Sequence, residues 1–524
     1  MILSALALTP LVGAFVLVVL PRTAERLVKS LAVGFSLVAL VLSIAMMSSY
    51  DLGKTGFQLA EKHTWIKPFG AYYAVGVDGI GVTLILLTTV LTPIVLLAAW
   101  DDTLPEGRSF NGYLAWMLAL EGLALGVFAS TDAFLFYLLF EATLVPIYFL
   151  IGSYGTGSRT YAAVKFLIYN LAGGLLMLAS IVGLYYVSGR HGAPTYLLSD
   201  LVGLHLGAGA EKLLFLGFMA AFAIKAPLFP FHTWLPDAAA SASPSTAVLM
   251  VSVIDKVGTF GMLRWCLGLF PHASTWATPV VVTLAVISVI YGALLAIGQD
   301  DLRRLVAFTS VSHFGFIILG LFAVTSTSTA GATLYMFNHG LSTAALFLVT
   351  GILIARRGSA SIADFGGVQK VAPLLAGMLL VAGLSSLSLP GLAPFISEFM
   401  VLVGTFTRYP VASIIGVFGI VLAALYILVM YERTMTGPLR DDNASIRDLK
   451  PVEMAALAPA VVLMVGLGFF PQPLLNVINP AVDATLARVG VGDPSPTSPH
   501  HLIVCSADSS VSCTLPNPGE GGHR

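Results

Sequence analysis

Four charged side chains lie inside long apolar stretches of this sequence. Glu141 occurs in FYLLFEATLVPIYFL, Lys225 in FLGFMAAFAIKAPLF, Lys256 in MVSVIDKVGTFGM and Glu398 in PGLAPFISEFMVL. A charged group at bilayer depth is costly, so it faces a protein interior or a water-filled cavity and marks a path for ions or protons. The four residues therefore predict a buried proton-transfer route, with Lys225 facing Glu141. The alternative is a structural ion pair that fastens two helices.

Three histidines occur in the same apolar surroundings, namely His232, His313 and His339. Imidazole titrates near neutral pH and can pass a proton between its two nitrogens. Together with internal water, the histidines are predicted to bridge the lysines and glutamates. Each of them could instead be a hydrogen-bonded core residue.

Secondary candidates for proton transfer are Glu121, Asp132, Lys165 and Asp237. Charges near helix ends are often caps or interface anchors, and Asp237 is expected to cap the second half of an interrupted helix. Asp255 is expected to pack locally, because residues adjacent on a helix do not face each other.

The composition identifies the environment of these residues. Hydrophobic residues make up 57% of the 524 and charged residues only 10%, and the mean hydropathy is +0.91. Soluble domains carry about 25% charged residues. The apolar runs are continuous over about twenty residues, which predicts membrane-spanning helices and excludes the alternating pattern of a barrel.

Motifs for cofactors and metals are absent from the sequence. There is no GxGxxG after a strand, no P-loop and no CxxC pair, and the three cysteines lack metal-ligand spacing. The formal net charge of -1 argues against a nucleic-acid partner. We therefore expect this chain to bind neither a cofactor nor a metal.

About fourteen spans fit the apolar runs. Helix seven is predicted at 213–239, helix eight at 245–269 and helix twelve at 371–406, and residues 48–76 form a polar loop. Helix seven is interrupted by Pro227 and Pro230, and helix twelve by the segment LSLPGLAPF. Proline removes a backbone donor, so an interruption at bilayer depth is tolerated only where protein or water supplies partners.

The two interrupted helices are five spans apart, which predicts two five-helix repeats, helices 4–8 and 9–13. An odd number of spans turns the second repeat upside down, as in many transporters. The predicted division is 1–111 for helices one to three, 112–270 and 271–434 for the repeats, 435–492 for the helix-fourteen region and 493–524 for a disordered polar tail.

Basic residues near the helix ends predict the orientation. Fifteen of them fall in odd-numbered loops and seven in even-numbered loops. The positive-inside rule then places the odd loops in the cytoplasm and both termini on the outer side of a bacterial plasma membrane. Cys505 and Cys513 would lie in an oxidising compartment, and whether they pair is left open.

The same segments resemble a known family. The motifs FEATLVPIYFLIGSYG, KAPLFPFHTWLPDA, DKVGTFGMLR, VSHFGF, FNHGL and LPGLAPFISEF look like those of the antiporter-like membrane subunits of respiratory complex I, the proton-pumping NADH:quinone oxidoreductase. They cover most of the chain between Glu121 and Arg433. In having a glutamate, Glu398, on this interrupted helix, the sequence resembles the M-type branch of the family, which includes chain 4 of the mitochondrial enzyme. L-type and N-type relatives carry a lysine at the matching position.

The resemblance implies a function and a set of partners. Glu141, Lys225, Lys256 and Glu398 match the proton-transfer residues of the family, and the three histidines match its central-axis histidines. FMN, iron–sulfur clusters and quinone would be bound by other subunits, and L-type and N-type subunits would be neighbours. Ala239 and Ala240 occupy a region where many relatives have a histidine, so a role for that histidine does not carry over.

Two related assemblies share the HTWLPDA motif and stay open as alternatives: a multisubunit Na⁺/H⁺ antiporter and a membrane-bound hydrogenase. A purely structural membrane scaffold is an alternative of another class. It predicts that replacing Glu141 or Lys225 leaves turnover and pumping intact.

Overall fold

The structure is a computed structural model that describes residues 1–190 and 192–494. Nearly all of its regular structure is helical. The helices are, in chain order, α1 Ile2–Val19, α2 Glu25–Ser48, α3 Gly79–Ala98, α4 Phe110–Ala129, α5 Ala133–Ala142, α6 Leu144–Tyr154, α7 Arg159–Ser188, α8 Leu198–Leu201, α9 Ala208–Lys225, α10 Trp234–Ser241, α11 Pro244–Val248, α12 Asp255–Gly261, α13 Pro271–Ile297, α14 Leu302–Phe322, α15 Ser326–Arg357, α16 Pro373–Ser386, α17 Ala393–Phe406, α18 Pro410–Met435, α19 Pro451–Phe469 and α20 Gln472–Val489.

The predicted class, an α-helical membrane protein, is confirmed. Among the described residues, twelve helical segments are long and apolar enough to cross a membrane. Both predicted interruptions are present, between α9 and α10 and between α16 and α17. The count of fourteen spans, the inverted repeats and the predicted division of the chain stay predictions.

Two segments differ from the sequence-based expectation. The predicted polar loop contains an antiparallel hairpin of β1 Gln58–Ile66 and β2 Ala71–Val77. Its second strand, AYYAVGV, contains tyrosines and valines, which favour strands, but it is too short to stand out beside the surrounding polar residues. The region predicted as helix fourteen holds α19 and also α20, whose mixed polar and apolar sequence escapes a search for apolar runs.

The predicted disordered tail lies mostly outside the described residues, and Cys505 and Cys513 lie there as well. At its start, the Asp493 carboxylate accepts a hydrogen bond of 2.8 Å from the Ser326 amide. This contact joins the residues after α20 to the first turn of α15.

Helices in the centre of the bundle differ from those at its rim. The segment of α11 and α12, together with α14, is enclosed by protein along its whole apolar length, and α15 is nearly so. By contrast, α1, α2, α7, α13, α18 and α19 expose many large apolar side chains. Polar side chains on the central helices are therefore shielded from lipid, which is where a proton route has to lie.

Candidate functional site

The first interruption of a membrane helix lies directly after Lys225. Helix α9 ends at this residue, and α10 begins at Trp234. The Trp234 indole donates to the Ile224 carbonyl, 3.0 Å, so it satisfies a carbonyl that the helix end leaves free. The Phe229 amide donates to the Ser288 hydroxyl of α13, 2.8 Å. Protein groups thus take up backbone hydrogen bonds that the interruption frees.

Lys225 is fully buried in an aromatic pocket. Its ammonium lies 5.2 Å from the ring centre of Phe140 and 5.7 Å from that of Phe166. A long hydrogen bond of 3.5 Å runs from Nζ to the Thr143 hydroxyl. The charge of Glu141 acts on Lys225, but within the described ranges the two side chains form no direct ion pair. The predicted facing of these residues is therefore an interaction at longer range.

Glu141 lies near the junction of α5 and α6, and its carboxyl packs against the backbone of α7. A Cβ added at Gly174 would lie 1.7 Å from Oε1 of Glu141. Only a glycine leaves room for the carboxyl at this place. Oε1 has no hydrogen-bond partner within the described ranges, so this oxygen is available to a proton or a water molecule.

Asp255 connects the two lysines electrostatically. Its side chain is fully buried, and in the described part of the chain neither carboxylate oxygen has a hydrogen-bond partner. Its charge acts on both Lys225 and Lys256. A Cβ added at Gly258, one turn further along α12, would lie 2.7 Å from the Ala226 amide at the first interruption. The expectation that Asp255 only packs locally misses this interaction.

Two stretches of the eighth predicted span, Leu249–Ile254 and Met262–Leu267, are π-helical. A π-turn widens the helix and disturbs its regular hydrogen bonds, and such turns are frequent at functional sites. The Lys256 ammonium donates to the Val251 carbonyl inside the first stretch, 2.7 Å. Nζ also lies 2.8 Å from Nδ1 of His339 and 5.0 Å from the centre of the Phe314 ring. The ammonium is thereby held against α15.

A row of polar side chains leads from Lys256 to the second interrupted helix, and within the described ranges no hydrogen bond joins its two imidazoles. The rings of His339 and His313 lie 5.3 Å apart, centre to centre. Nδ1 of His313 lies 2.7 Å from the Tyr335 hydroxyl, which in turn donates to Oε2 of Glu398 at 3.5 Å. We call Lys256, His339, His313, Tyr335 and Glu398 the buried polar chain. All five side chains are nearly or fully inaccessible.

Helix α15 also positions the second interruption. The Asn338 side-chain amide donates to the Ala393 carbonyl at the start of α17, 2.8 Å, and to the Ser397 hydroxyl, 3.2 Å. Pro394 stands in the first turn of α17, where its missing amide hydrogen is not needed. These contacts fix the half-helix that carries Glu398 beside the helix that carries the histidines.

The buried polar chain can pass protons along its hydrogen bonds, and a water molecule or a ring rotation has to bridge the two imidazoles. Each imidazole can accept a proton on one nitrogen and release one from the other. The Tyr335 hydroxyl can donate to the carboxylate while it accepts from His313. The other ring nitrogen of His313, Nε2, lies 3.4 Å from both the Ser386 and the Tyr426 hydroxyls. The arrangement provides hydrogen-bond donors and acceptors for protons, and its side chains pack against one another without space for a bulky substrate.

His232 is not joined to this chain. Its ring stacks near Phe229 and Tyr291 after the first interruption, and within the described ranges its Nδ1 has no hydrogen-bond partner. Of the three predicted histidines, the structure therefore brings two together and places the third apart.

The secondary candidates have different surroundings. Asp132 is the N-cap of α5 and accepts from the Phe134 and Leu135 amides at 2.9 and 3.0 Å. The predicted cap role of Asp237 is wrong. Its carboxylate instead binds Lys165 of α7 and Arg304 of α14, both at 2.7 Å. The Asp237 carboxylate forms ion pairs because two cations from other helices reach the first turn of α10.

Glu121 is neither a cap nor an anchor. It lies in the middle of α4, it is almost fully buried, and in the described part of the chain neither carboxyl oxygen is hydrogen-bonded. Thr92 of α3 lies beside it, but the Thr92 hydroxyl donates to the Thr88 carbonyl, 2.9 Å. Glu121 is therefore a second interior carboxyl without a donor.

Two members of the site were missed at the sequence level, Tyr335 and Asp255. Tyr335 and His339 are four residues apart and so share one helix face, as does Thr343, whose hydroxyl lies 3.1 Å from Nε2 of His339. This spacing is a signal that could have identified Tyr335. Asp255 could also have been recognised from the sequence. A carboxylate next to a buried lysine in an apolar run cannot reach solvent, so it needs a charged partner inside the protein.

The described residues contain no group of three or more His, Cys, Asp or Glu side chains that could hold a metal ion.

Fold and site together define a class: a polytopic α-helical membrane protein with interrupted helices and a row of buried titratable side chains. Comparison with known sequences identifies the family. The family described as NADH:quinone oxidoreductase/Mrp antiporter, TM matches residues 130–423. The chain belongs to this family.

Similar proteins cover nearly the whole chain. The NADH-quinone oxidoreductase subunit M of Mycobacterium tuberculosis is 51% identical over 97% of this chain and 98% of that protein. The subunit of the same name from Pseudomonas aeruginosa is 36% identical over 91% of this chain and 96% of that protein.

Solved structures show the same fold. A chain of respiratory complex I from Thermus thermophilus, determined with bound NADH, superposes with a TM-score of 0.85 at 30% identity, and covers 94% of this chain and 100% of that one. A chain of the Mrp complex from Dietzia superposes with a TM-score of 0.81 at 20% identity over 93% and 99% of the two chains, which is a likeness of fold alone.

Proposed function

We propose that this chain is an M-type, proton-translocating membrane-arm subunit of an NADH:quinone oxidoreductase. The observation that carries the proposal is the buried polar chain, which links a lysine on a π-helical span to a carboxyl on an interrupted helix. Relatives named subunit M that match over nearly their full length support the same assembly.

In this mechanism protons move through side chains of this subunit while the redox chemistry takes place elsewhere. Glu141 and Asp255 set the charge around Lys225, and Asp255 also acts on Lys256. A change of charge at Glu141 alters the proton affinity of Lys225, which then alters that of Lys256. The proton released by Lys256 passes to His339, through His313 and Tyr335, and reaches Glu398.

The partners and the orientation are part of the proposal. L-type and N-type subunits would contact the apolar faces of this chain, and FMN, iron–sulfur clusters and quinone would be bound by other subunits. The chain would lie in the bacterial plasma membrane with both termini outside, because basic residues are concentrated in the odd-numbered loops.

The experiment is a measurement of NADH-driven proton uptake in inverted membrane vesicles. For Lys225→Ala we expect assembly to persist and proton movement to be lost, because the central ammonium has no replacement. Quinone-linked NADH oxidation should fall about tenfold or more, which corresponds to roughly 1.4 kcal/mol or more in the barrier. NADH oxidation with hexacyanoferrate, which needs no proton movement, should be unchanged.

Lys212→Ala, near the start of the same helix, is the matched control and should pump normally. Full pumping by Lys225→Ala would refute the proposal and favour the scaffold alternative. Purification separates the other readings: an assembly with flavin and iron–sulfur absorbance supports an oxidoreductase, whereas Na⁺-dependent exchange without redox centres would support an antiporter.

A further inference from the structure

A cavity of about 720 Å³, with charged and hydroxyl side chains among its lining residues, opens at the end of the bundle where the odd-numbered loops lie. It is surrounded by the end of α3, the start of α4, the connection between α10 and α11, the last turns of α15 and the loop before α19. This volume is sufficient for many water molecules, and its lining provides polar partners for them. The proposed orientation places the opening in the cytoplasm.

Of the eight charged side chains that line the cavity, four are paired with one another. Lys450 binds Asp101 at 2.8 Å, and Arg356 binds Glu453. Asp448 accepts hydrogen bonds from the first amides of α16 at 2.9 and 2.8 Å. These groups are therefore occupied by structural contacts.

Asp102 is different, because its carboxylate is hydrogen-bonded to a hydroxyl and, within the described ranges, forms no ion pair. The Tyr113 hydroxyl donates to Oδ2 of Asp102 at 2.9 Å. The same hydroxyl lies 2.6 Å from the Ser243 hydroxyl, which donates to the Thr246 hydroxyl at 2.9 Å. Tyr113 and Thr246 are fully buried, so this row of hydroxyls leads from the cavity into the protein.

The row ends about two helical turns short of the interior proton-binding groups. Ser243 and Thr246 stand at the start of the helical segment that carries Asp255 and Lys256. Along α4, Glu121 is the next titratable side chain after Tyr113, eight residues or about 12 Å further into the bundle. Its two oxygens have no hydrogen-bond partner within the described ranges. An acceptor for incoming protons is therefore present behind the hydroxyls.

We infer that this cavity is where the subunit takes up protons, with Asp102 as the group that collects them and Tyr113, Ser243 and Thr246 as the row that passes them toward Glu121. The inference rests on the proposed function. A proton from water binds Oδ2 of Asp102. As this O–H bond breaks, Tyr113 accepts the proton and releases its own to Ser243, Ser243 releases its own to Thr246, and Thr246 releases its own to internal water that carries it to the Glu121 carboxylate. One proton thus enters and every hydroxyl is conserved.

The titration of Asp102 suits this role. Burial raises the pKa of its carboxyl to about 6, while the hydrogen bond from Tyr113 and the charge of Lys29 act in the opposite direction and the charge of Asp101 adds to the increase. Above pH 6 the group is mostly ionised and can accept a proton, and at pH 7 roughly a tenth of it is protonated. At pH 6 about half of it is protonated, and it approaches saturation near pH 5.

The test measures the initial rate of NADH-driven proton uptake between pH 5 and pH 8.5 in vesicles that contain the whole complex. In the unmodified protein we expect the rate to rise as the pH falls, to pass half of its maximum near pH 6 and to level off toward pH 5. Asp102→Asn, which keeps an acceptor for Tyr113, should lower the rate at pH 7 about fivefold to tenfold and remove this levelling. Asp102→Glu should restore it. Tyr113→Phe should lower the rate similarly.

Arg447→Gln, at an exposed position that lines the same cavity, is the control, with an expected profile like that of the unmodified protein. Hexacyanoferrate-linked NADH oxidation reports assembly, and Tyr113→Phe keeps the test decisive if Asp102→Asn fails to assemble. If Asp102→Asn and Tyr113→Phe behave like the unmodified protein while Lys225→Ala does not pump, the inference fails and the proposed function stands. If Lys225→Ala also pumps, the proposed function itself fails.

Discussion

One tyrosine hydroxyl closes the gap between the last histidine and the terminal carboxyl of the buried polar chain. It lies 2.7 Å from Nδ1 of His313 and 3.5 Å from Oε2 of Glu398. If this hydroxyl were removed, the His313 imidazole and the Glu398 carboxyl would each lose a hydrogen-bond partner inside the protein. A buried polar group that loses its partner costs about 1–3 kcal/mol, so the residue serves stability and, in the proposed route, also proton transfer.

For Tyr335→Phe we therefore expect proton pumping to fall about tenfold, because the step from His313 to Glu398 loses its bridge. Pumping is measured in inverted vesicles against the amount of assembled complex. Tyr186→Phe, at an exposed position, is the control and should have no effect. Unchanged pumping by Tyr335→Phe would show that protons bypass this hydroxyl.

At Glu141, the free space that the carboxyl needs comes from a glycine. For Gly174→Ala we expect loss of pumping, since the new Cβ would overlap Oε1 of Glu141 and force the carboxyl away from its place. The measurement is NADH-driven acidification of vesicles, normalised to the assembled complex. Gly377→Ala, where a Cβ meets nothing within 4 Å, should pump normally. Equal activity of the two variants would contradict the assigned position of the Glu141 side chain.

At the scale of elements, the interrupted helices are held by contacts from helices distant in sequence. Asn338 of α15 binds the start of α17, and Ser288 of α13 binds the segment after α9. The second half of the first interrupted helix, α10, is fixed by the Asp237 carboxylate between Lys165 and Arg304. Backbone groups freed by the interruptions are thus paired inside the bundle, as the absence of bulk water in a membrane requires.

For Asp237→Asn we expect a loss of stability of about 1 kcal/mol, because two partly exposed ion pairs that join α7, α10 and α14 lose their charge. The midpoint of thermal inactivation of the solubilised complex should fall by a few degrees. Asp483→Asn, at an exposed position on α20, is the control and should leave the midpoint unchanged. A midpoint that stays the same in both variants would show that the ion pairs add nothing measurable to stability.

At the scale of the whole molecule, the predicted orientation has a direct test by cysteine labelling. In a background without Cys266, Cys505 and Cys513, Asp441→Cys lies in an odd-numbered loop and Lys54→Cys in an even-numbered one, both at exposed positions. A membrane-impermeant maleimide should label Lys54→Cys in intact spheroplasts and Asp441→Cys only in inverted vesicles. The reverse pattern would turn the subunit over and move the proposed uptake cavity to the outer face.

The course of the proposed proton route could be described only from the folded chain. Glu141 and Lys225 were identified from single residues in apolar runs, yet no rule of spacing could predict that they interact at a distance rather than as an ion pair. Likewise, Asp255 could not be recognised as the charge between two lysines until the packing of α12 against the end of α9 was known.

The class of protein, the positions of the two interruptions and most of the buried charged residues were determined by the sequence alone. The reason is that a charge or a proline inside a membrane helix costs free energy, so its position in an apolar run can be recognised from the sequence. Which side chains meet, from Lys256 through His339, His313 and Tyr335 to Glu398, was decided only by the tertiary structure. These contacts join α12, α14, α15 and α17, and hydrogen bonds act over about 3 Å between residues that can be tens of positions apart in sequence.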